Sequence, residues 1–356
     1  MAKYLIEDST IEVNICCIDN VVEGNTQIEK TYGNITRVNQ KFKGKSKVGK
    51  LLNLILDGYL LIKKSKKIDS DLIICTTSPP LLPFWASLML KKRKWALWSL
   101  DLFPEGFVAA GTLKESNLIY RYLKKKTYKN LPCGLIALGE KQADHILKEY
   151  KQDIKTIILP AGVNLNDTKS ENNSINPDWY NSEKIILGYL GNVGQAHNPD
   201  FIKKVIEITA NFEITFVLSV YGIHGDEMKL FAKSFQHVVI IENGLPQEFM
   251  KLIDVHLISL RREWTHIAVP SKAVTAISEG RPIVFCGSEE SDNWQMFKDA
   301  GWLIPENEGM EKNIDLFIKG LNRDVINQKA KNTSLIISDL RSKVLDAYKK
   351  IGELDF

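Results

Sequence analysis

The feature that most constrains this chain is the alternation of short apolar runs with helical patterns, in two series separated by a polar stretch. The first series has apolar runs at 12–19, 71–78, 94–101 and 133–139, and helical patterns at 48–67, 80–92, 114–130 and 140–150. The second has apolar runs at 185–191, 213–222, 238–244, 254–260, 282–287 and 301–306. Such alternation favours parallel sheets with crossover helices. We therefore predict an α/β protein with two doubly wound, Rossmann-like domains.

Composition places the domain boundaries. Residues 166–184 are rich in Asn and Ser and lack periodicity, which is typical of a linker. We predict a first domain over 1–165, the linker over 166–184 and a second domain over 185–324. The closing segment 325–356 has a helical pattern over 325–350, which we expect to pack back on the first domain.

The first domain opens irregularly. An α/β domain usually begins with a strand and a glycine-rich loop. Here MAKYLIEDSTIEVNICCID reads as the end of a helix followed by what is normally the second strand. We expect the first strand of this domain to be missing.

The two halves of the chain differ in charge, which is +10 over residues 1–165 and −6 over 166–356. Basic clusters at 41–50, 63–67, 91–94 and 124–126 lie near apolar or aromatic residues. Anionic lipid attracts each such Lys or Arg by about 1 kcal/mol, although a single cluster can equally be a solvated helix end. We predict that an anionic membrane surface, and not nucleic acid, is the partner of the first half.

The sequence has no unbroken apolar run of about 18 to 20 residues, the length that a membrane-spanning helix requires. Its five cysteines show no metal-binding spacing and lie mostly in strand-like runs. We expect reduced cysteines, no metal site and no integral membrane segment.

A glycine turn follows the first strand of the second series, in IILGYLGNVGQAHNPDFIKKVIEI. Gly191, Asn192 and Gly194 lie between the strand and the next helix, where outward backbone N–H groups and the helix dipole suit an anion. The spacing is not the GxGxxG fingerprint of dinucleotide-binding proteins. A purely structural turn is an equal alternative.

A second cluster lies further along the same domain, in DVHLISLRREWTHIAVPSKAVTAISEGRPIVF. Arg261 and Arg262 end a strand, and Lys272 opens a helix. Arg and Lys side chains on adjacent loops can neutralise a pyrophosphate bound at the first turn. The alternative is that the two arginines pair with surface carboxylates.

Taken together, YLGNVGQAHN, NGLPQEFMKLIDVHLISL and VPSKAVTAISEGRPIVF resemble the nucleotide-sugar half of a GT-B glycosyltransferase. The similarity is to family four and its branch in bacterial capsule, O-antigen and exopolysaccharide synthesis. TTSPPLL, WSLDLFPEGFVAAG and LIALGEKQADHI support it in the first half, so that it extends over residues 10–340. The resemblance implies two Rossmann-like domains facing a cleft.

The resemblance also implies roles for individual residues. Gly191 and Asn192 would lie near the distal phosphate of the donor, and Arg261 and Lys272 would hold the pyrophosphate. The loop 243–246 would read the base. The donor-binding residues predicted in this way are Gly191, Asn192, Gly194, His197, Asn243, Leu245, Arg261, Ser271, Lys272 and Thr275.

The sequence departs from the family at two positions. Family-four enzymes often carry two glutamates eight positions apart, and these places fall at Ile267 and Thr275. Glu263 and Glu279 lie nearby without filling either place. The usual contacts to the ribose and to the transferred sugar are therefore in doubt, and Thr275 can supply at most one hydrogen bond.

For the acceptor side, Asp101 ends the run KWALWSLD and is followed by Phe103, Pro104 and Glu105. A carboxylate at a strand end can accept a proton from an attacking hydroxyl. The resemblance places Asp101 where a catalytic His or Asp often lies, and Glu105 is the second choice. The alternative is that Asp101 caps the turn.

The predicted reaction is transfer of a sugar from a nucleotide-diphosphate sugar to a membrane-borne, lipid-linked saccharide. The family implies retention of configuration and no metal, and we expect no cofactor. The protein would be cytoplasmic, at the inner face of the membrane. The alternatives are a degenerate, non-catalytic partner subunit and a nucleotide-sugar 2-epimerase, although an epimerase would want more carboxylates and histidines in the cleft.

Overall fold

The computed structural model describes residues 1–7, 11–19, 32–42, 47–165, 176–242, 244–245 and 247–353. They form two compact units, one of Met1–Leu159 with Lys343–Phe356 and one of Pro160–Ser342. Within the described ranges, no helix combines the length and the hydropathy that crossing a bilayer requires.

The first unit is built on parallel strands. Its strands are β1 (Asn14–Asp19), β2 (Asn34–Asn39), β3 (Ile73–Thr76), β4 (Trp95–Trp98), β5 (Gly134–Ala137) and β6 (Thr156–Ile158). Its helices before the linker are α1 (Ala2–Glu7), α2 (Lys47–Ser65), α3 (Leu82–Met89), α4 (Glu105–Ala109), α5 (Leu118–Thr127) and α6 (Glu140–Tyr150). One sheet has the order β3-β4-β5-β6, and β1 pairs with β2 in a separate two-stranded sheet.

The sequence predicted the strands β1, β3, β4 and β5, but it did not predict β2, β6 or α4. Strand β2 is largely exposed and carries no continuous apolar run. Strand β6 has only three residues and α4 only five, so neither gives a periodic signal.

The second unit contains a larger parallel sheet. Its strands are β7 (Ile185–Asn192), β8 (Ile214–Tyr221), β9 (Val238–Ile240), β10 (Val255–Ser259), β11 (Ile283–Gly287) and β12 (Gly301–Pro305). The helices that follow are α7 (Pro199–Thr209), α8 (Gly225–Ala232), α9 (Gln247–Met250), α10 (Lys272–Ser278), α11 (Asp292–Phe297), α12 (Met310–Gly320), α13 (Arg323–Lys331) and α14 (Thr333–Gly352). From Lys343 onward, α14 belongs to the first unit. The predicted strands of this half are confirmed.

The strand order of this sheet is β12-β11-β10-β7-β8-β9, and all of its pairs are parallel. This is the doubly wound order in which the first three strands run outward in one direction and the next three in the other. The direction reverses between β7 and β10. Ligands bind beyond the carboxyl ends of the strands at such a switch point, so this is the place to look for a site.

Strand β7 is held firmly in the middle of this sheet. Its apolar run is buried along most of its length, as expected of a strand covered on both faces. At Gly188 a Cβ atom would lie 2.7 Å from Ile253 Cδ1, so glycine lets that side chain pack directly on the strand. The following helix α7 buries Phe201, Ile202 and Val205 against the core. The turn between β7 and α7 is therefore fixed at both ends.

The predicted helix over 325–350 is wrong in one respect, because two helices occupy this segment. Helix α13 ends at Lys331 and α14 begins at Thr333. The Asn332 side chain between them donates to the carbonyl oxygen of Asp299 at 2.8 Å. This bond between residues distant in sequence lies at the break between the two helices, and no local sequence pattern predicts it.

Candidate functional site

The carboxyl ends of β7, β8 and β10 border a cavity of about 450 Å³. Gly191, Leu245, Lys272 and Thr275, all predicted to bind the donor, line it. Asn243, which was also predicted, lies outside the described residues. The lining residues that were not predicted include Ser219, Tyr221, Lys229, Glu242, Met250 and His256.

Two glycines let the chain fold tightly around this cavity. Gly191 has φ +96°, and a Cβ atom there would lie 3.2 Å from Lys272 Cε. Gly222 has φ +97°, and a Cβ atom there would lie only 1.9 Å from Asn192 Oδ1. Both positions therefore need glycine for backbone conformation and for space. Asn192 packs over Gly222, and its amide nitrogen also approaches the site of a Cβ atom on Gly194.

The sequence predicted outward-facing backbone amides at the N-terminus of α7, but several amides there are hydrogen-bonded within the protein. Asn198 caps α7 by accepting a hydrogen bond from Phe201 N at 3.0 Å. The amides of His197 and Asn198 are also bonded internally. In the part of the chain that the structure describes, the backbone amides of Gly194–Ala196 donate no hydrogen bond. The turn itself, and not the helix terminus, thus offers the amides that can meet an anion.

Lys272 is the cation that borders the cavity at the switch point. Its ammonium group donates to Tyr189 Oη at 3.1 Å and to the carbonyl oxygen of Asn192, and it lies 4.7 Å from the centre of the Tyr189 ring. No carboxylate lies within ion-pair distance in the described ranges. Burial lowers the pKa of Lys272 to about 7. A partly buried ammonium without a counter-ion favours an incoming anion.

His197 borders the same ammonium group. Its Nδ1 lies 2.8 Å from the carbonyl oxygen of Ser259, and its Nε2 lies 3.1 Å from Lys272 Nζ. A carbonyl can only accept, so Nδ1 carries the proton and Nε2 accepts from Lys272. Burial, together with the charge of Lys272, lowers the pKa of His197 to about 4. The imidazole is therefore neutral near pH 7 and holds Lys272 in place.

The loop after β10 is tied to the glycine turn through Arg261. Its backbone amide donates to the carbonyl oxygen of Ala196 at 2.8 Å, and its Nε donates to that of His197 at 3.0 Å. Ser259 Oγ accepts from Asn198 N at 3.2 Å. The predicted convergence of the two loops is thus observed. No ion pair of Arg261 or Arg262 with a surface carboxylate is seen in the described ranges.

Glu306, directly after β12, joins both loops. Its Oε1 accepts from Asn198 Nδ2 and its Oε2 accepts from Arg262 N, each at 2.5 Å. Burial raises the pKa of this half-buried carboxyl. One carboxylate thereby binds both Asn198, which caps α7, and the backbone amide of Arg262 in the loop after β10.

Removing this carboxylate should loosen both loops together. We expect Glu306→Ala to lower the free energy of unfolding by about 1 to 3 kcal/mol, because two donors lose their acceptor. Urea denaturation followed by circular dichroism measures the change. Glu289→Ala, at an exposed glutamate, is the matched control. Equal stability of the two variants would show that the hydrogen bonds of Glu306 do not stabilise the two loops.

Two other predicted residues make limited contacts. Ser271 precedes α10 without capping it through its side chain. Thr275 Oγ1 is bonded back to the carbonyl oxygen of Ser271 at 3.3 Å while it lines the cavity. Ile267 is buried, and its side chain has no polar group to take the place of a glutamate. Because its one hydroxyl proton goes to Ser271, Thr275 Oγ1 can accept a hydrogen bond from a ligand in this arrangement but cannot donate one.

In the first unit, Asp101 follows β4, an inner strand of the four-stranded sheet. The strand end is anchored because Leu100 donates to Thr77 Oγ1 at 2.9 Å and accepts from Gln142 Nε2 at 2.7 Å. Desolvation of its carboxyl raises the pKa of Asp101. The carboxylate accepts no hydrogen bond from the described part of the chain, and the cap position of α4 is Pro104. The turn-capping alternative therefore has no support.

Glu105 has a different setting. Its side chain is buried at the start of α4, 3.9 Å from Lys124 Nζ, which itself pairs with Glu149 at 2.7 Å. Burial raises the pKa of Glu105, and the charge of Lys124 opposes this. A carboxylate enclosed in this way favours a structural role, which makes Asp101 the stronger of the two acceptor-side predictions.

No protein-family model matches the chain. The chain is similar to a probable glycosyltransferase, WbjE, of Pseudomonas aeruginosa, with 24% identity over 264 residues. That alignment covers 68% of this chain and 64% of the relative, so the chain spans less than two thirds of the relative's length.

Among solved structures, WaaG, a glycosyltransferase involved in lipopolysaccharide biosynthesis, superposes with a TM-score of 0.65 at 15% identity, covering 98% of this chain and 93% of WaaG. Sucrose-phosphate synthase from Thermosynechococcus elongatus gives a TM-score of 0.69 at 11% identity, with 99% and 90% coverage. The chain has the GT-B fold. The predicted fold class is confirmed.

Within this GT-B chain, sequence reasoning missed Tyr189, Ser259 and Glu306. Tyr189 is hidden in the apolar run of β7, where a tyrosine reads as core. Ser259 lies within the run DVHLISL, but its hydroxyl was given no role, and Glu306 follows a strand that carried no motif. The only available signal was their position, since the ends of β10 and β12 lie on the carboxyl edge of the same sheet.

Proposed function

We propose that the protein transfers a sugar from a nucleotide-diphosphate sugar to a lipid-linked saccharide during synthesis of a bacterial surface polysaccharide. The observation that carries this proposal is Lys272, an ammonium without a carboxylate partner in the described ranges, held beside the glycine turn at the switch point of the second sheet. WbjE and WaaG, both named as glycosyltransferases, support the same reading.

The chemistry matches the site because a departing nucleoside diphosphate develops negative charge. Preorganised cations and backbone dipoles stabilise such charge in the transition state. Lys272 and the amides of Gly194–Ala196 supply these groups, and Arg261 is held within the same network. The cavity beyond them, with Tyr221 and Leu245, would take the nucleoside.

The acceptor is proposed from other features. The basic character of residues 1–165 suits an anionic membrane, where a lipid-linked saccharide resides. We place the protein at the inner face of the cell membrane, as a peripheral protein. Asp101 is proposed to accept the proton of the attacking hydroxyl. Retention of the donor configuration and independence of metal are parts of the proposal that rest on the family resemblance.

A non-catalytic partner subunit is the second candidate, and one observation favours it. Ile267 and Thr275 occupy the two places where family-four enzymes often carry glutamates, and Ile267 is buried. Such a subunit would bind nucleotide sugar weakly or not at all and would not turn it over.

A donor screen separates these candidates. Purified protein is incubated with individual UDP- and GDP-sugars and a lipid extract, with and without EDTA, and released nucleoside diphosphate is measured. We expect release that depends on one donor and on the lipid and that persists in EDTA. Proton NMR of the product gives the anomeric configuration. Absence of turnover with every donor would favour the partner subunit.

Donor affinity should depend on pH through Lys272. The ammonium has a pKa of about 7 in the unliganded protein, and a bound diphosphate would raise it. Affinity is then fully present below pH 7 and falls as pH rises, by up to about tenfold per pH unit, until the pKa of the complex is reached. Titration calorimetry at several pH values with a nucleotide sugar measures this.

Lys272→Arg is the control for the pH dependence, since a guanidinium stays charged throughout. We expect its affinity to be flat over the range in which the wild type weakens. A parallel fall in both proteins would assign the pH dependence to another group.

A further inference from the structure

Helix α5 exposes an unusual apolar surface. Leu118 is 79% exposed, Ile119 63% and Tyr122 54%. Helical spacing places Leu118 and Tyr122 on one face, one turn apart, with Ile119 beside them. Single exposed apolar residues are common, but a contiguous group indicates an interaction surface. We call Leu118, Ile119 and Tyr122 the α5 apolar patch.

Cations border this patch. Arg121, Lys125 and Lys126 lie on the same side of the helix, and Lys126 Nζ is 5.5 Å from the centre of the Tyr122 ring. None of the three forms an ion pair within the described ranges. Lys124, which points the other way, is paired inward with Glu149 at 2.7 Å. The positive charges around the patch are therefore available to an external partner.

The opposite face of α5 is firmly held. Tyr120 and Thr127 are buried. Ser87 Oγ on α3 donates to the carbonyl oxygen of Lys126 at 2.8 Å, and Asn117 caps the helix by accepting from Ile119 N at 2.8 Å. The patch is consequently a fixed surface of a packed helix.

We propose that α5 docks the protein on an anionic lipid bilayer, with the α5 apolar patch entering the headgroup region and Arg121, Lys125 and Lys126 facing the lipid phosphates. Apolar side chains combined with unpaired cations on one helix face are typical of interfacial helices. The net charge of +10 over residues 1–165 favours the same anionic surface. This inference names the membrane-binding surface of the proposed glycosyltransferase and rests on that function for its biological meaning.

Sedimentation with vesicles tests the docking surface. One set of vesicles contains phosphatidylcholine alone, and the other also contains phosphatidylglycerol. We expect binding to the anionic vesicles, and at least about tenfold weaker binding for the triple variant Arg121→Gln, Lys125→Gln, Lys126→Gln. The triple variant Leu118→Ser, Ile119→Ser, Tyr122→Ser should show a similar loss. Added salt should weaken wild-type binding.

The matched control is Leu316→Ser with Leu335→Ser, two exposed leucines on other helices. Its vesicle binding should equal that of the wild type. Hydrogen exchange should show protection on vesicle addition concentrated at residues 114–127. Full vesicle binding by both α5 variants would overturn the proposal, as would protection confined to another region.

Two further measurements distinguish failure of the α5 docking proposal from failure of the proposed transferase function. Analytical ultracentrifugation of the wild type and the serine variant detects self-association, and a dimer lost in the variant without any vesicle binding would assign the patch to a second copy. Calorimetry with UDP and GDP without lipid tests the proposed function alone. Nucleotide binding without vesicle binding would reject the α5 proposal and leave the transferase proposal standing.

Discussion

Replacing Lys272 with alanine should weaken binding of a nucleotide-diphosphate sugar by about tenfold to 150-fold. A charge-assisted hydrogen bond contributes about 1.5 to 3 kcal/mol, and Lys272 is the ammonium that the switch-point network holds towards the cavity. Tyr189, Asn192 and His197 position it in the unliganded protein. Titration calorimetry with UDP, GDP and their sugars at pH 6 to 7 measures the loss.

Three variants make this result interpretable. Lys272→Met keeps the length of the side chain without its charge and should behave like alanine. Lys272→Arg should recover part of the affinity, because it restores a cation in a less suitable shape. Lys233→Ala, at an exposed lysine on the same unit, should bind as the wild type does. Unchanged affinity in the alanine variant would remove Lys272 from the donor site.

Replacing Asp101 with asparagine should lower kcat by about 100-fold or more, which is the usual contribution of a positioned general base. The donor dissociation constant should change little, because Asp101 belongs to the first unit whereas the predicted donor residues belong to the second. Single-turnover kinetics with a saturating donor, together with calorimetry, separates the two quantities.

The pH profile adds a second test of Asp101. Only its ionised form can accept a proton, and desolvation raises its pKa, so turnover should decline as pH falls through that raised value. Asp144→Asn, at an exposed aspartate of the same unit, should keep normal kcat. Normal turnover in Asp101→Asn would reject the catalytic role.

The sequence predicted the parts of the fold that give strong local patterns. The strands of the second unit are short apolar runs bounded by turn residues, and their length and flanking residues favour strands over buried helices. Gly191 and Lys272 were also predictable, because a glycine turn and a lysine at a helix start both point to anion binding. The two residues come to the same edge of the sheet because β10, whose following loop leads to Lys272, pairs with β7.

Other features depended on contacts distant in sequence. Glu306 bonds to Asn198 across 108 positions, and neither residue lies in a motif that indicates the other. Tyr189 reads as a core residue until the structure shows its hydroxyl beside Lys272. At the break between α13 and α14, Asn332 bonds to the carbonyl oxygen of Asp299, 33 positions away. Local propensity cannot supply such pairings, because tertiary contacts decide them.

The same limit applies to Glu105. The sequence predicted Glu105 as the second choice for the acceptor-side carboxylate, because it lies close to Asp101 after a strand. In the structure its side chain points inward to Lys124. Helix α4 starts at Glu105 and carries the carboxylate away from the surface. Two acidic residues four positions apart therefore received opposite environments.

We expect the switch point between β7 and β10 to bind a nucleoside diphosphate. Crystals of the protein soaked with UDP or GDP would show whether it does. We expect density for the two phosphates between the turn at 191–196 and Lys272 Nζ, with the nucleoside in the adjacent cavity. A diphosphate bound elsewhere, or a site still empty at saturating nucleotide, would contradict it.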